Sequence, residues 1–529
     1  MRNNQKSVMT ELASPGRVTE ILKPHKKAAA AGLNAWQWGL AVLVFLCCLA
    51  GASLLRVEYC PDEWARRLLC DYMVSHGRLP IGEEGELILR EYGFSYAIYP
   101  YLAAMINALF MRIAGLFTGS EWVLLAASRM CSVLSLSVGC VYLQRIGNAL
   151  FRRRCVSTLF AALVCFMPQT MFLGMYHNND SLALCGVIAV LYSVLMGSRN
   201  HWRVRDCVHL TVWTSATLLS YYNAYGWLLV CGIVTAVSFL SDKRISGKEK
   251  ALKMTGIFLG IVALAGWWFI RNAYYHNGDF LGMTTEAVDR ARLEAEGWVF
   301  KNYRRPSEME GYTLFRMLTE ERCAYLVALL KSFIGAFGNM NIFMPGWIYF
   351  FYYAVILLGA VCFGVFVFRK KTREEKWILG IFLAGGIITV GLTLYNSFFT
   401  DYQPQGRYII TLLLPLAFGI TDTGTVLLSG SRSRMAGSDD TIQDTGTYLL
   451  SDDQADEKPD TLSAGKASMD MNRGTAERSG QHDRRELTFT EERLVRHRLL
   501  SRVCLGFSLL WIGMFFVVFL TTMRQMIGP

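Results

Sequence analysis

Two adjacent carboxylates, Asp62 and Glu63, follow Pro61 directly after the first long apolar run of the chain, Trp36 to Leu55. The proline restricts the backbone in front of them. A carboxylate that is partly desolvated near a bilayer gains basicity and could take a proton from a hydroxyl group. The alternative for Asp62 is helix capping, because Asp is a favoured N-cap residue. We therefore treat both carboxylates as candidate catalytic groups.

A third candidate catalytic residue, Asp180, follows Asn178 and Asn179 at the end of another apolar run. Together with Asp62 it could bind a divalent cation such as Mg²⁺ or Mn²⁺, since hard cations take carboxylate and amide oxygens. Capping of the helix that starts at Ser181 is the alternative. The sequence has no His and Cys pattern typical of zinc, and it predicts no other cofactor.

Two arginines lie at ends of apolar runs, where basic residues are not needed for topology. A guanidinium matches phosphate oxygens bidentately, so Arg271 and Arg407 could hold a lipid phosphate, and Gly406 would let it approach the backbone. The alternatives are headgroup anchoring for Arg271 and an ordinary loop role for Gly406. The candidate substrate-binding residues are Arg271, Asn272, Gln405, Arg407, Asn179 and His76.

The composition defines the elements that must position these groups. The 529 residues are 53% hydrophobic and 18% charged, against about 25% charged in soluble domains. The apolar residues fall in separate runs of roughly 17–25 residues, the length that crosses a bilayer as a helix. The net charge of +11 concentrates in short loops between the runs, which is typical of topology control and not of nucleic-acid binding. The chain is therefore predicted to be an all-α polytopic membrane protein.

Basic residues before the first run place the N-terminus in the cytoplasm and Asp62 on the extracytoplasmic side. The run Tyr96–Phe117 is predicted to lie at the outer interface as a helix pair or hairpin. As a span it would place three basic loops outside, and Arg112 within it would be costly at mid-bilayer. About eleven transmembrane helices result, with a large first extracytoplasmic loop carrying interfacial helices.

This topology divides the chain into a cytoplasmic basic tail, a transmembrane catalytic domain, a polar insert that is disordered by composition, and a final transmembrane helix. The tail has no cleavable signal peptide, and Cys60 and Cys70 in the first outer loop could form a disulfide. The basic tail is residues 1–34 and the transmembrane catalytic domain residues 35–428, with outer loops at 56–121 and 271–346. The polar insert is residues 429–498, and the final helix lies in 499–529.

Four polar clusters then share one membrane face, each at the end of a predicted span. They are Asp62/Glu63, Asn178/Asn179/Asp180, Arg271/Asn272 and Gln403/Gln405/Arg407.

This order of motifs resembles the GT-C class of membrane glycosyltransferases, in particular protein O-mannosyltransferases, bacterial aminoarabinose transferases and related bacterial membrane proteins. The resemblance covers about residues 36–428. It is carried by Pro61-Asp62-Glu63, Asn178-Asn179-Asp180, Trp268-Phe269-Ile270-Arg271-Asn272, Phe337-Gly338-Asn339-Met340-Asn341 with Pro345-Gly346-Trp347, and Gln405-Gly406-Arg407-Tyr408.

The resemblance implies transfer of a sugar from a polyprenyl-phosphate donor to a cell-envelope acceptor, which is a glycan, lipid or protein, at the outer face of a bacterial plasma membrane. It implies that Asp62 is the catalytic acidic residue of the first loop, Asp180 the acidic residue of the second, and Arg407 a donor-phosphate contact. The triplet Asn178-Asn179-Asp180 supplies one carboxylate, which weighs against a tightly bound metal.

Two other functions compete with this hypothesis. A transporter or lipid flippase would carry polar residues deep within its spans, where this chain has few charges. A non-catalytic scaffold in cell-envelope assembly would keep the fold without the chemistry.

Overall fold

The computed structural model describes residues 32–151, 153–299, 304–368, 373–429 and 498–527, and it is built almost entirely from helices. The prediction of an all-α polytopic membrane protein is confirmed. In chain order the α-helices are α1 (Ala35–Leu54), α2 (Glu63–His76), α3 (Leu102–Gly115), α4 (Glu121–Ala127), α5 (Met130–Leu150), α6 (Arg154–Cys165), α7 (Pro168–Leu173), α8 (Asp180–Arg199), α9 (Val204–Leu218), α10 (Tyr225–Ser241), α11 (Gly247–Ile261), α12 (Trp267–Tyr275), α13 (Met283–Ala295), α14 (Leu314–Gly335), α15 (Gly346–Cys362), α16 (Arg373–Phe399), α17 (Leu413–Ser429) and α18 (Arg498–Thr521).

Eight helical segments in the described ranges are long and apolar enough to cross a membrane. They are Ala35–Leu54, Glu121–Leu150, Asp180–Arg199, Tyr222–Ser241, Gly247–Tyr275, Gly346–Val365, Ile378–Phe399 and Arg498–Thr521. Three further predicted spans correspond to shorter or interrupted helices. The first is broken between α6 and α7, where Pro168 begins a new helix. The other two are α9, with 15 residues, and α17, with 17.

The segment predicted to lie at the interface forms a short 3₁₀ turn, Tyr96–Ile98, followed by α3. With 14 residues α3 is about 21 Å long, which is shorter than the roughly 30 Å hydrocarbon core. Its buried face, including Ala104, Ala108 and Met111, packs against α2. The length fits the predicted interfacial position. Helices α2 and α3 thus pack together beside the first acidic pair.

The end of the chain closes onto the start of the first outer loop. The Arg56 amide donates a hydrogen bond to the Met526 carbonyl at 3.1 Å, and Leu55 pairs with Ile527 in an isolated bridge. Trp511 of α18 is fully buried, with its ring 4.7 Å from that of Tyr352. The last helix therefore holds the exit of α1, from which Asp62 follows within a few residues.

Helix α14 is longer than the short apolar piece Ala324–Phe337, which the sequence predicts to be re-entrant or interfacial. It begins at Leu314 and is interrupted by three consecutive left-handed residues, Glu321 to Cys323, before reaching Gly335. A two-residue antiparallel hairpin follows, in which β1 (Ala336–Phe337) pairs with β2 (Ile342–Phe343). The predicted disordered insert and most of the basic tail lie outside the described residues.

The predicted disulfide in the first outer loop is wrong. Cys60 and Cys70 are both free thiols. Cys60 precedes α2, whereas Cys70 lies about two turns into the helix. Cys70 donates to the Ala104 carbonyl of α3 at 3.4 Å, and Cys60 donates to the Arg56 carbonyl at 3.4 Å.

Candidate active site

Asp62 occupies the N-cap position of α2 without capping it. Its backbone is left-handed, with φ 59° and ψ 6°, and its side chain makes no capping hydrogen bond. The left-handed region is disfavoured for most residues with a Cβ, but Asp enters it more readily than most because its short side chain can bond locally. The capping alternative is therefore not what the structure contains. The carboxylate is instead directed at Arg407.

Arg407 is buried and makes an ion pair with Asp62, with 3.0 Å between Nη2 and Oδ2. Its Nη1 approaches the Tyr176 hydroxyl at 3.5 Å, and its guanidinium lies 5.1 Å from the ring centre of Tyr408. The chain positions joined here are 345 residues apart. The two residues predicted from separate loops thus form one centre.

Close packing requires a glycine at position 406, a reason that the sequence interpretation did not include. A Cβ at this position would lie 2.1 Å from the Phe333 amide nitrogen of α14. The Gly406 amide also donates to the Ser332 hydroxyl at 2.7 Å. This close contact with α14 fixes the 3₁₀ turn Gly406–Leu412 that carries Arg407.

Asp180 belongs to the same centre. It is the first residue of α8 and is 5% exposed, and the charges of Arg407, Arg66 and Asp62 all act on its carboxyl group. The turn before α8 is held by Asn178, whose Oδ1 accepts from the Ser181 amide at 2.9 Å. Since Asn178 performs this local role, the Asp180 carboxylate is not consumed in capping.

Arg66 is a member of the centre that the sequence reasoning missed. It lies one turn after Asp62 on α2, with its guanidinium 5.0 Å from the ring centre of Tyr96, and the charges of Asp62 and Arg407 act on it. The spacing of four residues along a helix was the available signal.

Two buried donors in this centre lack a partner among the described residues. They are the Nε–H groups of Arg66 and Arg407. Buried guanidinium N–H groups are normally hydrogen-bonded, so these two donors could bond an acceptor that the described residues do not supply.

Tyrosines surround the charged residues. Tyr221 is near both arginines and Asp180, and its ring centre lies 6.3 Å from that of Tyr408. The charge of Asp62 also acts on Tyr92, Tyr96 and Tyr408. Sequence reasoning noted only that the turn containing Tyr221 is rich in Tyr and Asn. The site is therefore a charged centre with phenolic walls.

Glu63 occupies a different environment from Asp62, although the two are adjacent. It is fully buried and accepts two hydrogen bonds from Arg129, at 2.8 and 2.6 Å, and a third from the His177 amide at 2.7 Å. Arg129 also donates to the carbonyls of Ala52 and Leu55 at the end of α1. Glu63 thus joins α1, α2, α5 and the segment before α8.

His177 carries no positive charge at neutral pH. Burial, with added repulsion from Arg66 and Arg129, lowers the pKa of His177 to about 3. Its Nδ1 lies 3.9 Å from the Cys70 sulfur, and its Nε2 is buried without a partner among the described residues. The cations around the acidic centre are therefore the arginines.

Arg271 and Asn272 do not join the charged centre. Arg271 donates to the carbonyls of Pro80 and Leu79, at 2.6 and 3.3 Å. The Asn272 side chain donates to the carbonyls of Ile98 and Asp279, at 3.1 and 3.2 Å. Both residues hold the backbone of the outer loops. Three of the four predicted clusters therefore meet at the charged centre, and the fourth, Arg271/Asn272, supports the neighbouring loops.

The other predicted substrate contacts are also distributed. His76 ends α2, about 20 Å along the helix from Asp62, and it stacks on Tyr72 with the ring centres 4.3 Å apart. The Asn179 side chain donates to the Pro100 carbonyl at 3.3 Å. Gln405 lies in the turn before Arg407, and its carbonyl accepts from the Tyr408 amide at 3.2 Å. Of these, Asn179 and Gln405 are neighbours in sequence of the centre's residues Asp180 and Arg407.

The donor set does not fit a tightly held divalent cation. No group of three or more His, Cys, Asp or Glu side chains with metal-binding geometry occurs in the described ranges. Asp62 is already paired with Arg407, and Arg66 and Arg407 place two positive charges beside Asp180. A dication would have to overcome that repulsion with two carboxylates, so the centre favours an anion.

Residues 75–416 match the family model described as "Predicted membrane protein (DUF2142)". No curated protein matches the chain. Among solved structures, ArnT from Cupriavidus metallidurans in the apo state is similar at 13% identity and a TM-score of 0.46, covering 76% of this chain and 60% of that one. The archaeal oligosaccharyltransferase AglB from Archaeoglobus fulgidus, in complex with an inhibitory peptide and a dolichol-phosphate, is similar at 12% identity and a TM-score of 0.37, covering 77% and 53%.

Both solved structures are GT-C enzymes, the class that the sequence motifs resemble. The chain spans less than two thirds of the length of either one. With TM-scores below 0.5, neither likeness assigns a role to any residue of this chain.

Proposed function

The chain belongs to the DUF2142 family of membrane proteins, and we propose that this member is a glycosyltransferase acting at the outer membrane face. It would move a sugar from a polyprenyl-phosphate donor to a cell-envelope acceptor. The observation that carries the proposal is the centre formed by Asp62, Asp180, Arg66 and Arg407. It combines a proton acceptor with an anion site between helices of a membrane protein.

The two arginines are the proposed binding site for the donor phosphate. Each has a buried Nε–H group without a partner in the described chain, and together they would neutralise most of the charge of a phosphate ester. A polyprenyl tail is apolar and suits the lipid or a groove between helices, while its phosphate lies at headgroup level. The site thus matches a molecule that is charged at one end and apolar at the other.

Asp62 is the proposed general base. It would accept the proton of an acceptor hydroxyl while that oxygen forms a bond to the anomeric carbon and the bond from this carbon to the phosphate oxygen breaks. The polyprenyl phosphate leaves with the electron pair, and the arginines stabilise the charge that develops on it. A single displacement of this kind inverts the anomeric configuration.

The Asp62–Arg407 ion pair suggests how donor binding and base strength are linked. A guanidinium partner makes a carboxylate a weaker base. An incoming phosphate would compete for Arg407 and leave Asp62 more basic only when a donor is present. Asp180 would hold Arg66 in place. Glu63 is a positioning residue, because it is fully buried against Arg129.

The two competing functions lack a comparable observation. A scaffold would not need an accessible aspartate paired with a buried arginine whose Nε–H group has no partner among the described residues. A transporter would place its charged residues along a path through the membrane, whereas these four lie at helix ends and in the adjacent turns.

The proposal is tested by native mass spectrometry of the full chain in nanodiscs with added polyprenyl phosphate. We expect the unaltered protein to retain the lipid, and Arg407→Ala and Arg66→Ala each to weaken retention at least tenfold. Arg112→Ala is the matched control, because Arg112 is an exposed arginine at the end of α3. Equal retention by all four proteins would remove the phosphate site.

A further inference from the structure

A short outer segment places two tyrosine rings beside the proposed base. The segment turns at Gly93, which has φ 79°, and is closed by a bridge between Leu89 and Phe94. The rings of Tyr92 and Tyr96 lie 6.4 Å apart at an interplanar angle of 27°. We call these two nearly parallel rings the tyrosine shelf.

The shelf is supported from within the protein. Phe94 is buried, and its ring packs edge-on against Tyr96 at 5.7 Å and against Tyr99 at 5.9 Å. Tyr99 packs in turn against Tyr222 at 6.0 Å. The two shelf residues are themselves half-buried, so each keeps part of its surface exposed.

The shelf is next to the charged centre. The charge of Asp62 acts on both phenols, and Arg66 lies over the Tyr96 ring. Burial, reinforced by the negative charge of Asp62, raises the pKa of Tyr92 to about 12, so its hydroxyl stays protonated at neutral pH. Neither shelf hydroxyl has a hydrogen-bond partner within the described residues. Both remain available to a ligand as donor and acceptor.

Acidic side chains other than Asp62 also lie near the shelf. The charges of Glu91 and Asp401 act on Tyr92, and that of Asp401 also acts on Glu286. Glu91 is exposed, so this acidic rim reaches the aqueous surface. A ligand on the shelf would meet phenols and carboxylates beside Arg66, which lies over the Tyr96 ring.

Resting on the function proposed above, we propose that the tyrosine shelf binds the acceptor and that the acceptor is a neutral carbohydrate. The C–H groups on one face of a sugar ring carry partial positive charge and are attracted to the negative face of an aromatic ring. Carboxylates accept hydrogen bonds from neighbouring sugar hydroxyls. The two phenol hydroxyls can donate hydrogen bonds to other sugar oxygens or accept them from other sugar hydroxyls.

The carboxylates of the acidic rim would favour binding of a neutral sugar over binding of an anionic acceptor. An anionic glycan or a phosphorylated lipid would meet the carboxylates of the acidic rim, and like charges repel. The donor phosphate and the acceptor ring would then be held on adjacent subsites, with Asp62 between the arginines and the shelf. A hydroxyl of the bound sugar would be within reach of the base.

The test measures binding of fluorescent neutral trisaccharides, based on glucose, galactose, mannose or N-acetylglucosamine, to the full chain in nanodiscs. Uronic-acid trisaccharides and a Ser/Thr-containing peptide are the competing probes. We expect at least one neutral trisaccharide to bind at least tenfold more tightly than either competitor. Tyr92→Ala and Tyr96→Ala should each weaken this binding at least tenfold, and Tyr92→Phe should weaken it about threefold.

The matched control is Tyr274→Ala, since Tyr274 is 81% exposed and remote from the shelf, and it should bind as the unaltered protein does. Polyprenyl phosphate retention is measured on the same samples and should not change in Tyr92→Ala and Tyr92→Phe, which also shows that these two variants are folded. If no neutral trisaccharide binds, if the peptide or the uronic acids bind better, or if the shelf variants bind normally, the inference is wrong. Retained lipid binding in those cases leaves the glycosyltransferase proposal standing, whereas loss of lipid binding by the unaltered protein refutes that proposal instead.

Discussion

At the scale of single residues, the neighbours Asp62 and Glu63 show how burial separates two chemically equal side chains. Asp62 is partly accessible and paired with one nitrogen of Arg407, while Glu63 is fully enclosed and receives three hydrogen bonds. The sequence placed both in the same functional class because it shows residue type and not enclosure. Only the first of the two is accessible from outside the protein.

The Glu63–Arg129 pair leads to a prediction about stability. Glu63→Gln leaves the Arg129 charge buried without a counter-charge, and breaking a buried pair in this way costs about 3–5 kcal/mol. We expect the thermal unfolding midpoint of the purified protein to fall by several degrees. Glu58→Gln is the control, because its pair with Arg56 is exposed at 3.7 Å and such pairs contribute about 0–1 kcal/mol. Equal midpoints for the two variants would contradict the structural role of Glu63.

Sequence reasoning found Asp62, Asp180 and Arg407 because each lies at the end of an apolar run, where a polar residue is conspicuous. It missed Arg66 and the tyrosines because they lie in polar loops rich in similar residues. Their importance depends on the rotation of α2 and on the path of the loop beyond it, which are tertiary properties. Arg271 was misplaced for the same reason, since its partners are backbone carbonyls of another loop.

At the scale of elements, the position of Arg407 depends on how closely its turn packs against α14. This contact was not predictable from the sequence, because a glycine in a loop is compatible with many roles. The helix lengths were more predictable, since apolar runs mark spans directly. The break between α6 and α7 was missed although Pro168 signals it, because the run of apolar residues continues through the proline.

The packing of Gly406 gives a prediction with an internal control. In Gly406→Ala the new methyl group would overlap the Phe333 backbone, which cannot move without displacing α14. The turn must shift instead, and we expect polyprenyl phosphate retention to fall at least tenfold in native mass spectra. Gly391→Ala in α16 has open space around the new Cβ and should retain the lipid normally. Normal retention by Gly406→Ala would show that the turn does not depend on this contact.

At the scale of the whole molecule, the proposed chemistry requires the first outer loop and the centre to face away from the cytoplasm. The positive-inside distribution of basic residues is the basis for this orientation. The chain end that closes onto Arg56 lies on the same side. A single reversal of topology would place the entire centre on the wrong membrane face.

The orientation is checked by cysteine labelling in intact cells with a membrane-impermeant maleimide. Gly119→Cys and Gly247→Cys both introduce a side chain into open space, so both variants should fold. We expect the cysteine at position 119 to be labelled in intact cells and the one at position 247 only after permeabilisation, each above the background of the parent chain. The opposite pattern would invert the proposed topology.

The central claim is that Asp62 performs proton transfer beside a bound lipid phosphate, and one substitution separates these two parts. Asp62→Asn removes the base and the charge that competes for Arg407 but keeps the shape of the side chain, so it should retain polyprenyl phosphate at least as well as the unaltered protein does. Measured in nanodiscs with a radiolabelled polyprenyl-phosphate sugar and a cell-envelope extract as acceptor, sugar transfer should fall at least ~100-fold. Undiminished transfer by Asp62→Asn would contradict the account.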